Sequence, residues 1–123
     1  MRGVGRTLDE AFAEAAVGLM AVICSPQTVE PTEEVRIHCE GDDMELLFVD
    51  WLNELIYEMA TRRMLFCRFE VAVAGEKLDG RAWGETADPE RHETAVEVKG
   101  ATYTQLKVAR QDDKWVAQCV VDV

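Results

Sequence analysis

The sequence predicts a single α+β domain in which two helices pack against a mostly antiparallel or mixed sheet of about five to seven strands. Three observations lead to this prediction. Two segments carry apolar residues at helical spacing, and from residue 65 onward apolar residues recur with the period of a strand. With 123 residues, the chain has room for one domain and one substantial core. We therefore expect residues 1–123 to form one domain without an internal repeat.

The first helix is predicted over residues 8–23. The stretch TLDE fits a capping box, in which Thr7 and Glu10 satisfy free amides of the first turn. Apolar residues then recur on one side until "CSPQTVEP", where Pro26 and Pro31 cannot continue a helix.

The second helix is predicted to begin after Asp42 or Asp43 and to run to about residue 60. Three polar residues interrupt its apolar sequence and share one face, since they stand at positions i, i+3 and i+4: Asp50, Asn53 and Glu54. The expected buried side holds Leu46, Val49, Leu52, Leu55, Ile56 and Met59. By default the polar face is an ordinary solvated one.

Strands are predicted in the other segments that alternate. "AGEK" and "QDD" are typical of turns, and "TADPERHE" of a loop. The expected strands cover residues 33–41, 65–73 and 78–85, one or two strands between 94 and 110 with a bulge at Gly100, and a last strand over 114–123.

The charge of −11, from 13 basic and 24 acidic residues, excludes autonomous nucleic-acid binding because such a surface repels phosphates. A basic partner protein or a divalent cation is compatible with it. The four cysteines form no CxxC pair, and their apolar neighbours favour buried, reduced thiols over disulfides. With neither a signal peptide nor an apolar run of ~20 residues, we expect a cytoplasmic protein that does not enter membranes.

Few residues indicate chemistry. No glycine-rich phosphate loop, nucleophile elbow or HExxH motif occurs. Both histidines, His38 and His92, are expected at the surface, although His92 lies in a loop, where binding groups concentrate. Asp122 stands next to the terminal carboxylate of Val123, so two anionic groups suited to Ca²⁺ or Mg²⁺ lie close together.

Spacing alone leaves these groups without an assigned role. It favours a solvated chain end for Asp122. For Lys99, a surface ion pair with Glu97 is the default, and binding of a phosphate or an acidic group is the alternative.

Five successive segments of the sequence resemble the archease family: "GRTLDEAFAEAAVGLMAVI", "LLFVDWLNELIYEM", "RAWGETADPERHE", "EVKGATYTQLKV" and "VVDV". The resemblance covers nearly the whole chain. It implies a small accessory protein, not an enzyme, that assists the RtcB-type tRNA-splicing ligase, which joins RNA ends using GTP and a divalent metal. Such a protein promotes guanylylation of the ligase and its multiple turnover.

The resemblance also implies roles for particular residues. Asp122 and Val123 would be ligands of a divalent cation (Ca²⁺, or Mg²⁺ or Mn²⁺), and Lys99, Asp50 and Asp122 would act in ligase activation. Asn53, Glu54 and His92 would lie behind the metal ligands.

One departure from the family concerns the amino terminus. Archeases open with a strand bearing His-Thr-Ala-Asp, and this sequence begins after the point where that strand would end. We therefore expect the first strand, with its metal-binding aspartate, to be missing. A late start site or a trimmed terminus is the simplest explanation, and a divergent member that has lost the metal is the alternative.

Two other functions remain open at this stage. The first is a chaperone or specificity modulator of another tRNA-processing enzyme, such as a tRNA methyltransferase. The second is a small metal-dependent hydrolase that uses Asp50 and Asp122 with Mg²⁺.

Overall fold

The computed structural model describes residues 1–123 and confirms the α+β class. Its helices are α1 (Leu8–Ile23), α2 (Met44–Arg62) and the single turn α3 (Pro89–His92), with a 3₁₀ turn at Pro26–Thr28. Its strands are β1 (Arg2–Gly5), β2 (Glu33–Glu40), β3 (Met64–Ala74), β4 (Lys77–Thr86), β5 (Gly100–Ala101), β6 (Lys107–Gln111), β7 (Lys114–Gln118) and β8 (Val121–Asp122). None of the helices has the length and apolar character needed to cross a membrane.

The eight strands form three antiparallel sheets rather than one, in the orders β1-β7-β6, β2-β4-β3 and β5-β8. The segment 114–123, predicted as one strand, is divided between two sheets. The change of partner strand occurs at residues 119 and 120, between β7 and β8. The Cys119 N–H donates to the Met1 carbonyl at 3.0 Å, and the next N–H, that of Val120, donates to the Thr104 carbonyl at 3.1 Å.

At the predicted bulge, Gly100 pairs with Asp122 while the neighbouring Lys99 N–H donates to the Asp122 carbonyl at 2.7 Å, so two consecutive residues oppose one, as at a bulge. A further irregularity, which was not predicted, lies in β3 between Phe66 and Arg68.

Strand β1 was not predicted, because two of its four residues are glycines, which are depleted in strands. It pairs with β7 from Arg2 opposite Gln118 to Gly5 opposite Trp115. A Cβ atom at Gly3 would lie 2.1 Å from the Ala11 carbonyl oxygen, so glycine is what allows α1 to lie directly on this strand.

Both helix starts follow from their capping residues. The Thr7 hydroxyl accepts a hydrogen bond from the Glu10 N–H at 3.1 Å, and α1 has the predicted bounds. In α2, Asp43 is the cap and accepts from the N–H groups of Glu45 and Leu46 at 2.8 and 3.1 Å.

The core lies where the two long helices meet the sheets. The rings of Phe12 and Phe48 are 5.0 Å apart, and the buried Trp51 indole donates to the Phe12 carbonyl at 3.1 Å. Trp51 also presses against Gly80, where a Cβ atom would lie 2.4 Å from its ring. The predicted buried face of α2 is partly wrong, since Leu46 is 45% exposed, whereas Phe48 and Trp51 are fully buried. The reason is that α2 contacts α1 as well as the sheets, and Phe48 and Trp51 make the contact with Phe12 of α1.

The cysteines are free thiols, as expected, and three of them, Cys24, Cys39 and Cys119, are buried in the core. Cys67, which lies at the bulge in β3, is half-buried.

Candidate functional site

Most of the predicted site residues belong to the elements that come together where α2 packs against the small β5-β8 sheet. We call this region the β5 corner and define it as Asp50, Asn53, Glu54, Lys99, Asp122 and Val123. Its central contact is made by Asn53, whose side-chain oxygen accepts a hydrogen bond from the Ala101 N–H at 2.8 Å. This contact fixes β5 against the polar face of α2. Asn53 lies about one helical turn after Asp50 on that face.

Pairing of β5 with β8 brings Lys99 next to Asp122. Gly100 stands opposite Asp122, and the Lys99 N–H donates to the Asp122 carbonyl at 2.7 Å. The structure therefore joins α2, Lys99 and the end of the chain through backbone and amide hydrogen bonds.

The charged side chains of the β5 corner are exposed and unpaired. Asp50, Glu54, Lys99 and Asp122 are all exposed and take part in no side-chain hydrogen bond or ion pair. Lys99 thus lacks the ion pair with Glu97 that was its default expectation. The fold holds the backbone at this corner and leaves the charges free to meet another molecule.

The polar face of α2 lies beside β2 as well. Burial raises the pKa of the Cys39 thiol in β2 to about 11, and the negative charges of Glu54 and Asp50 add to this rise. Both carboxylates are therefore close to the end of that strand.

The residues of the corner do not form a complete cation site. Ca²⁺ takes six to eight oxygen ligands. The structure contains no group of three or more His, Cys, Asp or Glu residues that could hold a metal ion. Asp122 and the carboxylate of Val123, both exposed, are two candidate ligands, and the chain does not surround them with others.

His92 does not join the β5 corner, and its predicted exposure is wrong. The ring is 0% exposed. Its Nδ1 accepts from the Asp88 N–H at 2.8 Å, so the proton lies on Nε2, which donates to Glu85 at 3.2 Å. The burial was missed because a loop histidine becomes buried only through tertiary contacts, here a backbone bond from Ser25 to the His92 carbonyl.

His92 belongs to a second polar cluster, the Glu85 corner, which we define as Glu30, Glu85, Asp88, Arg91 and His92. The Glu85 carboxylate accepts from the Glu30 N–H at 2.5 Å and forms an ion pair with Arg91. The Glu30 N–H holds the pKa of Glu85 below its usual value, and the bonds from His92 and Arg91 act in the same direction. This cluster ties the end of β4 to the segment before β2.

Comparison with known proteins identifies the family. The model of the Archease protein family matches residues 1–123, the whole chain. The chain belongs to the archease family. The archease of Pyrococcus furiosus is 39% identical over 128 residues, covering 100% of this chain and 90% of the relative. The archease of Methanopyrus kandleri is 43% identical over 121 residues, covering 95% and 86%.

Two solved structures show the same fold. The solution structure of protein 1598 of Methanobacterium thermoautotrophicum superposes with a TM-score of 0.85 at 30% identity, covering 99% of this chain and 89% of that one. The crystal structure of an archease from Thermotoga maritima, described as a possible chaperone, superposes with a TM-score of 0.66 at 21% identity, covering 100% and 88%. This archease thus has the family fold along its whole length.

Proposed function

We propose that this archease is a cytoplasmic accessory protein of the RtcB-type tRNA-splicing ligase, which promotes guanylylation and multiple turnover of the ligase without catalysing ligation itself. The observation that carries the proposal is the β5 corner. There the Lys99 N–H donates to the Asp122 carbonyl, and the side chains of both residues are exposed and unpaired. Family membership along the whole chain supports the same function.

Docking would rest on electrostatic complementarity. A ligase site that binds GTP, a divalent metal and RNA is rich in positive charge, and a protein of net charge −11 is attracted to it. Asp50 and Asp122 would face its basic groups, while Lys99 would meet a phosphate or an acidic side chain. Because exposed charges are screened over ~8–10 Å at physiological ionic strength, the complex should weaken as salt is added.

A divalent cation is a separate part of the proposal. We propose that Asp122 and Val123 each contribute oxygen ligands to Ca²⁺, Mg²⁺ or Mn²⁺, with Asn53 and Glu54 behind them. Since this chain does not complete the coordination, the other ligands would be water or groups of the partner. Calorimetric titration with each cation, with and without the ligase, tests this part. Binding that is unchanged in Asp122→Asn would contradict it.

Activation is tested by two substitutions with a matched control. Lys99→Ala and Asp122→Ala should abolish stimulation of ligase guanylylation, measured with labelled GTP and purified ligase, while leaving the circular dichroism spectrum unchanged. Lys107→Ala removes another exposed lysine, in β6, and should stimulate like the native protein. If Lys99→Ala also stimulates fully, the assignment of this corner is wrong.

A second function has one observation in its favour, the description of the Thermotoga maritima archease as a possible chaperone. The same acidic surface would then hold a different basic tRNA-processing enzyme, such as a tRNA methyltransferase. Affinity capture with the native protein as bait separates the two. Recovery of a methyltransferase without ligase would favour the second function.

A further inference from the structure

Three of the six strands that stand at a sheet edge in this protein are blocked by helix side chains. At an edge, every second backbone N–H points outward and offers a pairing site to another strand. In three strands a helix side chain accepts one of these outward N–H groups. The pairs are Val73 of β3 with Asp9 at 2.9 Å, Ala101 of β5 with Asn53 at 2.8 Å, and Val108 of β6 with Glu45 at 3.1 Å.

Strand β2 is an edge strand without such a block. It lies at the end of the order β2-β4-β3 and pairs with β4 along all eight of its residues. The residue that follows β2 shows which of its backbone groups face β4. The Gly41 N–H donates to the Glu76 carbonyl at 2.8 Å, so Gly41 and Glu76 are a hydrogen-bonded pair, and such pairs recur at every second residue. Odd-numbered residues therefore bond to β4, and the N–H and C=O groups of the even-numbered ones point away from the sheet.

The outward groups belong to Glu34, Arg36, His38 and Glu40. None of their N–H or C=O groups bonds to a side chain, in contrast to β3, β5 and β6. Their side chains lie on the exposed face of the sheet, where the His38 ring bonds to Asp79 at 2.7 Å and to Glu40 at 2.9 Å. Over this length the edge offers a strand of ~27 Å, at about 3.4 Å per residue.

The surroundings of this edge are acidic. Exposed carboxylates flank both ends of β2 and stand on the neighbouring face of α2, while Arg36 is the one lysine or arginine of the strand. These carboxylates belong to Glu30, Glu33, Glu40, Asp42, Asp43, Asp50 and Glu54. A segment carrying positive charge at both of its ends would complement them.

A second copy of this chain fits the edge poorly. Antiparallel pairing of two β2 strands through these outward groups, centred on Ile37, would set Glu34 of one copy opposite Glu40 of the other at each end. Like charges opposite each other destabilise a strand pair, and two molecules of net charge −11 repel each other at long range.

We propose that the free edge of β2 binds an extended, basic segment of a partner protein, which adds as a fourth strand to the sheet β2-β4-β3. Backbone hydrogen bonds to the even-numbered residues hold the segment, and lysine or arginine residues at its two ends meet the acidic flanks. The inference does not depend on which enzyme the partner is.

Amide exchange tests the backbone contacts. The probe is a peptide of about nine residues with lysines at both ends and alternating threonine and valine between them. In the free protein, the Arg36 and His38 amides should exchange much faster than those of Val35 and Ile37. Saturation with the peptide should slow Arg36 and His38 at least about tenfold. Arg36 and His38 amides that are already protected, or unchanged by the peptide, would overturn the proposal.

A modified peptide separates strand addition from attraction by charge alone. The same peptide with alternate backbone nitrogens methylated keeps its charge and loses the N–H groups of one edge. It should bind at least about tenfold more weakly when the methylated edge is the one that faces β2. Equal affinity for both peptides, or no binding of the unmodified peptide at about 1 mM, would refute strand addition.

Two substitutions at one position provide the matched control in the protein. Arg36→Pro removes an outward N–H that the fold does not use, and proline is tolerated at such edge positions. Arg36→Ala removes the same charge and keeps the N–H. Arg36→Ala should bind the peptide at least as tightly as the native protein, and Arg36→Pro at least about tenfold more weakly. Equal affinity of the two folded variants would contradict the proposal; should Arg36→Pro fail to fold, amide exchange and the methylated peptide still decide it.

Discussion

The Glu85 corner and the β5 corner are both rich in polar residues, yet the fold uses them in opposite ways. In the Glu85 corner, the buried His92 has both ring nitrogens bonded, and the Glu85 carboxylate accepts from three different residues. In the β5 corner, Asn53 and the backbone make the contacts, while the side chains of Lys99 and Asp122 are exposed and unpaired.

The difference separates polar residues that stabilise the fold from those available for binding. A buried polar group contributes to stability only when its partners are in place, and leaving it unpaired is costly. An exposed, unpaired charge contributes little to stability. Substitutions in the Glu85 corner should therefore lower the free energy of unfolding, and most substitutions in the β5 corner should affect partner binding instead.

The largest expected effect is that of His92→Ala. This substitution leaves the Asp88 N–H without its partner, removes one of the three donors to the Glu85 carboxylate and opens a cavity. It should lower the free energy of unfolding by about 2–4 kcal/mol, measured by urea denaturation. His38→Ala, at the exposed histidine, is the matched control and should change it much less. Similar losses for the two variants would mean that burial does not distinguish these histidines.

Asn53→Ala should have the next largest effect, and it tests the one structural side chain of the β5 corner. Loss of the bond to the Ala101 N–H should cost about 1–2 kcal/mol and speed amide exchange at Ala101. Glu54→Ala, at the neighbouring exposed position, should stay within about 0.5 kcal/mol of the native protein. An Ala101 amide that exchanges equally in both variants would show that Asn53 does not hold β5.

Glu85→Gln should show a smaller effect that depends on pH. The pKa of Glu85 is lower in the folded protein than its usual value of 4.5, so the carboxylate stabilises the fold above that pH. This contribution is lost as the pH falls through the folded pKa. The stability difference between native protein and Glu85→Gln should therefore shrink with acidification below pH 4.5. Glu90→Gln, at an exposed site in α3, should keep the native pH profile. A constant difference for Glu85→Gln would argue against the assigned role.

Local patterns in the sequence were enough to predict much of the fold. The cap at Thr7 and the apolar spacing after it define α1 with its bounds, and the turn at "AGEK" predicts the β3-β4 hairpin. The division into three sheets was not predictable in this way. It depends on where residues 119 and 120 change partners, and those partners lie far away in the sequence.

The candidate site was predictable to a similar degree. The shared face of Asp50 and Asn53 follows from helical spacing, and the roles of Lys99 and Asp122 came from the resemblance to archeases. The position of β5 against α2 depends on the bond between Asn53 and Ala101, which joins residues 48 positions apart, and the proximity of Lys99 to Asp122 depends on the pairing of β5 with β8. The burial of His92 also depends on a contact between residues far apart in the sequence, the bond from the Ser25 N–H to the His92 carbonyl. For that reason the sequence alone predicted an exposed histidine where the structure has a buried one.

The smallest stability effect is expected for the double variant Lys99→Ala/Asp122→Ala, and it provides the most direct measurement. Its urea unfolding and its stimulation of ligase guanylylation are measured on the same preparation. We predict a free energy of unfolding within about 0.5 kcal/mol of the native value and no stimulation. A variant that is strongly destabilised, or one that stimulates like the native protein, would contradict the conclusion that these charges serve a partner rather than the fold.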